Sequence, residues 1–471
     1  MKEYGLIVVG SGAGMNIVDT ALARGLKVAI VEEGPIGGTC LNRGCIPSKV
    51  LVHAADVIRE AQMAARIGVK LRLEKVDYEF LKRRMWDIVL SGRREMEEAI
   101  KATPEIDLYP LIGEFVGDYT MKVGTETIKA PRIVLASGAR AVVPEIPGLD
   151  RVKFYTYRTV FDVEQQPESV VIIGGGYIGC EFAHFFSAIG SKVSLLGRNE
   201  VLLPHEEPET SALVKKRLSE HVAVHTSVDP GSLSVEGKDG DISVRLKDAQ
   251  GEHSVEGQLL LIAAGLRSNS DWFKPERTGV RTDPKGWIMV NEYLETSKPG
   301  IYSMGDALGK NMFRHTANYE IALVRTNMFG HQKVAVDLHA VPHAVFTDPQ
   351  VGAVGMTEDD AKRSGRKVMV GKAQMHETAM GYAYGDLDAF VKVVVEYPTR
   401  KILGASIVGP EASNLIQQIT LLMNAESETF LPLARTQIIH PTLSEAIISA
   451  FNRLVPVNFE PPEHHHHENQ G

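Results

Sequence analysis

Sulfur is scarce in this chain. Three cysteines occur in 471 residues, at positions 40, 45 and 180. So few exclude a secreted disulfide scaffold and point to a reducing compartment, with the cytoplasm as the expected location. Long apolar runs are lacking too. No stretch of about 20 apolar residues is present for a membrane-spanning helix, and no leader-like segment precedes the first strand. A membrane is therefore not an expected partner. Positive charge is not in excess either: 51 Lys and Arg stand against 59 Asp and Glu, a formal net charge of −8. No basic arm is visible, which argues against nucleic acid. Low-complexity linkers are missing. What remains is a globular composition, 44% hydrophobic, with the length for two to four domains and an ample core.

Two of the cysteines sit close together, in Gly37-Gly38-Thr39-Cys40-Leu41-Asn42-Arg43-Gly44-Cys45-Ile46-Pro47-Ser48-Lys49. Residues five apart in an ideal α-helix have Cα atoms roughly 8–9 Å apart, whereas a disulfide wants roughly 4.4–6.8 Å. Cys40 and Cys45 can pair only where a helix is distorted or just beginning. Gly44 lets the backbone leave the helical basin, and Pro47 cannot donate to the carbonyl four residues back. A ring this small favours a labile, catalytic bridge over a structural one. Two alternatives stand beside it. One is a pair of ordinary buried thiols. The other is a zinc site, which lacks the third and fourth ligands such a site requires, so no metal is expected. Cys180 falls inside an apolar helical stretch and reads as a core thiol.

Upstream lies a nucleotide-binding fingerprint. The apolar strand from Tyr4 to Val9 leads into Gly10-Ser11-Gly12-Ala13-Gly14-Met15, then a helix to about Arg24, then a strand from Lys27 to Val31 that ends at Glu32. The glycines allow close approach to a pyrophosphate, the helix N-terminus favours its charge, and Glu32 is placed for a ribose hydroxyl. Met15 stands where a third glycine or alanine is usual, so looser helix–strand packing is expected there. A second unit repeats the pattern. The strand Ser169 to Ile173 leads into Gly174-Gly175-Gly176-Tyr177-Ile178-Gly179, a helix to about Ile189, and a strand from Lys192 to Leu196. Two βαβ units mean two dinucleotides, or one protein built on a duplication; the cysteine pair after the first unit suits a flavin there and a nicotinamide at the second. At the end of the second unit Gly197 replaces the acid and Arg198 follows. An arginine there suits a 2′-phosphate, which favours NADP over NAD. A solvated surface arginine is the alternative.

These residues resemble the group I flavoprotein (pyridine nucleotide-) disulfide oxidoreductases. The resemblance spans essentially the whole chain. It includes Leu135-Ala136-Ser137-Gly138-Ala139, Ala263-Ala264-Gly265-Leu266-Arg267-Ser268-Asn269, Ile301-Tyr302-Ser303-Met304-Gly305-Asp306, Phe346-Thr347-Asp348-Pro349-Gln350-Val351 and His440-Pro441-Thr442-Leu443-Ser444-Glu445. It implies an α/β fold: two Rossmann-like dinucleotide-binding domains, for FAD and NAD(P), and a C-terminal α+β dimerisation domain. The implied boundaries are 1–149 for FAD, 150–272 for NAD(P), 273–343 for a central segment completing the FAD site, and 344–460 for the interface domain. Two amphipathic helices, near 53–68 and 79–102, would interrupt the first domain. Residues 461–471, with four histidines at 464–467, read as a disordered tail.

The resemblance also implies roles. Cys45 faces the flavin and forms a charge-transfer pair as thiolate, and Cys40 attacks the substrate. Lys49 approaches the flavin and pairs with Glu181; the two read equally well as a solvent-exposed ion pair. His440 is the general acid–base, as an imidazole near neutrality can be, and Glu445 orients it. Both act in the partner's site of a homodimer. Gly10, Gly12, Gly14, Glu32, Gly38, Thr39, Lys49, Ser137, Gly138, Asp306 and Ala317 would hold FAD. Gly174, Gly176, Tyr177, Gly179, Arg198 and Gly265 would hold NAD(P)H, with Tyr177 over the flavin face until nicotinamide displaces it. The substrate is a disulfide. Ile46-Pro47-Ser48-Lys49 and the His440 motif resemble dihydrolipoamide dehydrogenases most. Ile438, Arg43, the segment His315-Thr316-Ala317-Asn318-Tyr319-Glu320 and Gly197-Arg198 depart from that pattern, the last two toward an NADPH-dependent reductase of the mycothione or glutathione type. A flavin-bearing redox sensor, and a metal-binding protein using the two cysteines and the histidine tail, are the readings from other classes.

Overall fold

The computed structural model describes residues 1–460 except Asp239; the tail at 461–471 lies outside the described residues. The chain divides into two compact units. One comprises Met1–Arg59, Leu73–Glu200 and His221–Asp337, and the other Glu60–Arg72, Val201–Glu220 and the chain from Leu338 onward. Among the described residues no helix is long and apolar enough to cross a membrane.

The first unit holds two Rossmann-like parallel sheets. In one, the strand order is Ile301–Ser303, Ile133–Leu135, Leu6–Val9, Val28–Val31, Ile106–Tyr109. In the other it is Ala223–His225, Lys192–Leu196, Ser169–Ile173, Leu259–Ile262. Leu6–Val9, Val28–Val31 and Leu259–Ile262 are buried at every residue. Such unbroken Val, Ile and Leu runs are what a parallel sheet covered on both faces requires. Antiparallel ribbons flank them, one from Gly113 to Lys129 and one from Ser234 to Gly257.

The structure moves several sequence boundaries. The first strand is not continuous from Tyr4: Lys2–Glu3 pairs with the ribbon strand Glu126–Lys129, and the core strand starts at Leu6. Gly5 separates them and bonds Lys27 O through its N–H at 2.9 Å. The helix expected near 53–68 runs instead over Cys45–Met63, followed by a short 3₁₀ turn at Ala64–Ile67. Looser packing at Met15 does not occur. The chain enters the first helix through a 3₁₀ turn over Ala13–Ile17, which presents Gly14 to the sheet. A Cβ on Gly14 would lie 2.7 Å from Ala136 Cβ. In the second βαβ turn Gly179 plays that part, where a Cβ would lie 1.8 Å from Gly174 O.

The second unit is built on a six-stranded antiparallel sheet, ordered Pro342–Val345, Val351–Gly355, Ile402–Val408, Phe390–Glu396, Val368–Gln374, Val455–Pro456. Helices Ala412–Met423 and Ser444–Asn452 bury Ile416, Ile419, Ile447 and Ala450 against it. This is the α+β arrangement that the resemblance implies.

Candidate functional site

The two cysteines do not share a helix. Gly38–Arg43 forms one short helix, Gly44 breaks it, and Cys45–Met63 forms the next. The break needs glycine, since a Cβ on Gly44 would meet Thr39 O at 2.9 Å and Cys40 Cα at 3.2 Å. Pro47 sits in the first turn of the second helix, where a missing N–H costs nothing. Cys40 thus ends up beside Cys45. Both are free thiols in this structure and their side chains are hydrogen-bonded to each other.

That bond sets the protonation of the pair. The Cys45 thiol beside it, together with Arg314 and Lys49, brings Cys40 down to about 7 against the opposing effect of burial. The same bond and burial push Cys45 well up. Such thiols titrate as a pair with a shared proton. The proton and the negative charge belong to the two sulfurs together, and Arg314 and Lys49 favour the charged pair. Cys180 is fully buried, and burial raises its thiol far above the usual range, as a core thiol should be.

Lys49, one turn beyond Cys45, donates from Nζ to Glu181 Oε2 at 2.6 Å. Glu181 lies on the helix Tyr177–Ala188 of the second βαβ unit, with only 13% of its side chain exposed and Lys49 at 34%. The two units of the duplication are therefore joined by a half-buried ion pair, not by a solvated surface contact.

A cavity of about 320 Å³ opens on the two cysteines. Its walls include Gly10, Gly12, Glu32, Gly38, Thr39, Cys40, Cys45, Ser137, Gly138, Asp306 and Ala317. Glu32 Oε2 accepts from Ser11 N at 2.9 Å and Ser11 Oγ at 2.7 Å, and Oε1 accepts from Gly34 N. The carboxylate thus pins the phosphate turn while lining the cavity. A Cβ on Gly38 would lie 2.5 Å from Gly12 Cα, so the cavity floor is bare backbone. Ser137 Oγ is buried without a hydrogen-bond partner, and burial pushes the Asp306 carboxyl up to about 6. A long, glycine-floored cleft with an orphaned hydroxyl and a desolvated carboxyl suits a polyhydroxylated dinucleotide such as FAD.

A second, smaller cavity of about 160 Å³ is lined by Gly176, Tyr177, Ile178, Ala263 and Gly265. The Tyr177 ring stacks on Phe313 with centroids 6.3 Å apart. Arg198 is exposed beyond the end of the strand Lys192–Leu196. Gly174 is not among the residues lining either cavity; its φ of +134° turns the chain into the helix.

In the other unit, His440 Nδ1 lies 2.9 Å from Glu445 Oε1, and Glu445 Oε2 accepts from Thr442 N at 3.1 Å. The His440 bond holds Glu445 below the usual carboxylate range. The imidazole is 72% exposed, as is its neighbour Ile439 at 76%. Ile438 is half-buried beside them.

Arg314 and Asn269, which line the main cavity, and Glu320, which bonds its wall residue Gly305, carry no assigned role in the sequence motifs. Arg314, with Lys49, favours negative charge on Cys40. Glu320 is buried on the helix Arg314–Phe329, accepts from Gly305 N at 2.6 Å, and is raised by burial to about 7. A carboxylate on the apolar face of that helix was the available signal. Asn269 bonds Ser137 O through Nδ2 at 2.8 Å. Arg43, by contrast, is not free to mark a substrate: it donates to Arg158 O and lies 3.7 Å from Asp162.

Comparison with known proteins agrees with this geometry. Residues 4–322 match the pyridine nucleotide-disulphide oxidoreductase model and residues 341–451 its dimerisation-domain model. The chain is 34% identical to mycothione reductase of Mycobacterium tuberculosis over 468 residues, covering 96% of this chain and 99% of that one. It is 32% identical to dihydrolipoyl dehydrogenase of Chlamydia muridarum over 451 residues, covering 94% and 95%. The HOCl-induced flavoprotein disulfide reductase RclA of Escherichia coli superposes with a TM-score of 0.84 at 27% identity, covering 95% of this chain and 99% of that one. With two fused βαβ units, a hydrogen-bonded cysteine pair at a glycine-floored cleft and a dimerisation domain, the chain belongs to the pyridine nucleotide-disulphide oxidoreductases, FAD-dependent enzymes that act on sulfur groups with pyridine nucleotides.

Proposed function

We propose that the chain is an oxidoreductase of a low-molecular-weight disulfide, with lipoamide and dihydrolipoamide as the substrate pair. The observation that carries the reaction type is the Cys40–Cys45 pair, with one proton between two sulfurs and Cys40 brought to about 7. Bound FAD, held by Gly10, Gly12, Gly38, Ser137, Asp306 and Ala317, would supply the two-electron exchange between NAD(P)H and this pair.

In the reducing direction the Cys40 thiolate attacks one sulfur of the substrate. The substrate S–S bond breaks and a Cys40–substrate mixed disulfide forms. The departing sulfur takes a proton from His440 of the partner subunit, whose imidazole Glu445 of the partner subunit orients. Cys45 then gives up its proton to that imidazole and attacks the Cys40 sulfur. The second substrate sulfur leaves and takes that proton from the imidazolium, and the Cys40–Cys45 disulfide closes. The substrate gains two electrons and two protons; the cysteines supply both electrons and one proton, and the partner's His440 imidazolium that began the cycle supplies the other. Lys49 stabilises negative charge beside Cys45, and Glu181 fixes its ammonium group.

The Ile46-Pro47-Ser48-Lys49 and His440 motifs support lipoamide. A second reading, an NADPH-dependent reductase of another thiol disulfide, draws on Arg198 and the 34% identity to mycothione reductase. Stopped-flow reduction by NADH and NADPH, followed by reoxidation with lipoamide, glutathione disulfide and mycothiol disulfide, separates them. Lipoamide should reoxidise the protein fastest. Faster turnover of another disulfide with NADPH selects the second reading. Failure of both nucleotides to reduce the bound flavin overturns the reaction itself.

A further inference from the structure

Away from both cavities, three side chains converge at one edge of the second parallel sheet. His225 ends the edge strand Ala223–His225. Asp248 ends the strand Asp241–Asp248, and His253 lies on its hairpin partner Gly251–Gly257. In that hairpin His253 pairs with Leu246 and Asp248 with Gly251. His253 and Asp248 are thus diagonal neighbours on one face, a spacing that long side chains bridge.

The separations are those of a coordination shell. His225 Nδ1 lies 3.1 Å from Asp248 Oδ2, His253 Nε2 lies 3.3 Å from His225 Nδ1, and His253 Nε2 lies 3.7 Å from Asp248 Oδ2. A tetrahedral Zn²⁺ with bonds of about 2.0–2.1 Å holds its ligand atoms about 3.3–3.4 Å apart. The three distances bracket that edge.

Each ligand is also oriented from behind. His253 Nδ1 is 3.3 Å from Gly251 O. A carbonyl can only accept, so this nitrogen carries the proton and Nε2 turns its lone pair inward. Asp248 Oδ1 accepts from Gln250 N at 2.8 Å, which leaves Oδ2 for the cluster. The Asp248 side chain is 4% exposed, that of His225 14% and that of His253 30%. Burial works against charge on Asp248, but Gln250 N–H and the two imidazoles outweigh it and hold the carboxyl below its usual range. In the neutral tautomers one hydrogen, on His225 Nδ1, serves both Asp248 and His253. A cation replaces that hydrogen and bonds all three atoms once His225 carries its proton on Nε2.

We propose that His225, Asp248 and His253 form a binding site for a divalent transition metal, with Zn²⁺ as the type ion. Two imidazoles and one carboxylate suit a borderline cation, and three protein ligands leave a fourth position for water. The site touches the nucleotide-binding unit directly: His225 O accepts from Gly197 N at 2.7 Å, beside Arg198. Bound metal would tie the edge strand to the hairpin behind that turn. This inference is independent of the disulfide chemistry.

The test uses the full-length flavoprotein with Cys40 and Cys45 oxidised, so that neither offers a thiolate, and with His464→Ala, His465→Ala, His466→Ala and His467→Ala in the tail. Equilibrium dialysis against Zn²⁺ alone, with metal counted by atomic emission, should find one ion per chain. His253→Gln and Asp248→Asn should each lose it while keeping the metal-free melting temperature. Zn²⁺ should raise the melting temperature of the parent and not of the variants. If the parent takes up no Zn²⁺, or both variants retain the equivalent, the cluster is a hydrogen-bonded triad and the proposal fails.

Discussion

At the scale of single residues, the chemistry rests on how one proton is divided between two sulfurs. The thiolate is the nucleophile, so alkylation of the reduced protein by iodoacetamide should speed up with rising pH along a curve centred near 7, the value to which Cys40 is brought. Below that pH Cys40 is protonated and the rate falls. Arg314→Met removes a cation that favours the thiolate and should move the midpoint upward. A midpoint in the ordinary thiol range for both proteins would refute the pairing. The cysteines, Lys49, Glu181 and the His440–Glu445 pair were legible because each sits in a motif of contiguous residues. Arg314 and Glu320 were not, because their importance depends on which helix face turns inward. That face is set by packing, not by any local motif.

At the scale of elements, the Gly44 break decides what the cysteines can do. It starts a new helix at Cys45, so that residues five apart meet instead of standing on opposite sides of one cylinder. Gly44→Ala forces a methyl against Thr39 O and Cys40 Cα. Overpacking of this kind typically costs about 1–3 kcal/mol, read as a lower urea midpoint, and it should also slow closure of the disulfide. Unchanged stability and closure would show that the break tolerates a side chain. The βαβ units were readable because glycine turns bound unbroken apolar strands. The start of the helix at Cys45 was obscured by Pro47, which reads as a helix breaker yet is harmless in a first turn. Likewise, Tyr4 reads as part of a strand although its N–H bonds Lys129 O, in the neighbouring ribbon.

At the scale of the whole molecule, the exposed His440 imidazole stands in the second compact unit and lines neither of the two cavities. The dimerisation domain that carries it supports a site shared between chains. Cys40→Ser and His440→Ala should each abolish disulfide turnover. Random mixing of the two variant chains makes half of the dimers mixed, each with one intact site of two, so about a quarter of normal activity should return. No recovery after verified exchange would place both groups in one chain. The three-residue cluster at 225, 248 and 253 was invisible at every scale of the sequence. Its members meet only through an edge strand and a diagonal hairpin pairing.

The closeness of Cys40 and Cys45 along the chain has one more consequence. A bridge stabilises a fold chiefly by shortening the loops open to the unfolded chain, and a ring of about six residues is worth only about 2 kcal/mol in that account. By the same thermodynamic cycle, folding can shift the reduction potential of this bridge through loop closure by no more than about 45 mV. Oxidation and reduction therefore leave the protein folded on both sides of the cycle. The potential is left to the charges that surround the sulfurs.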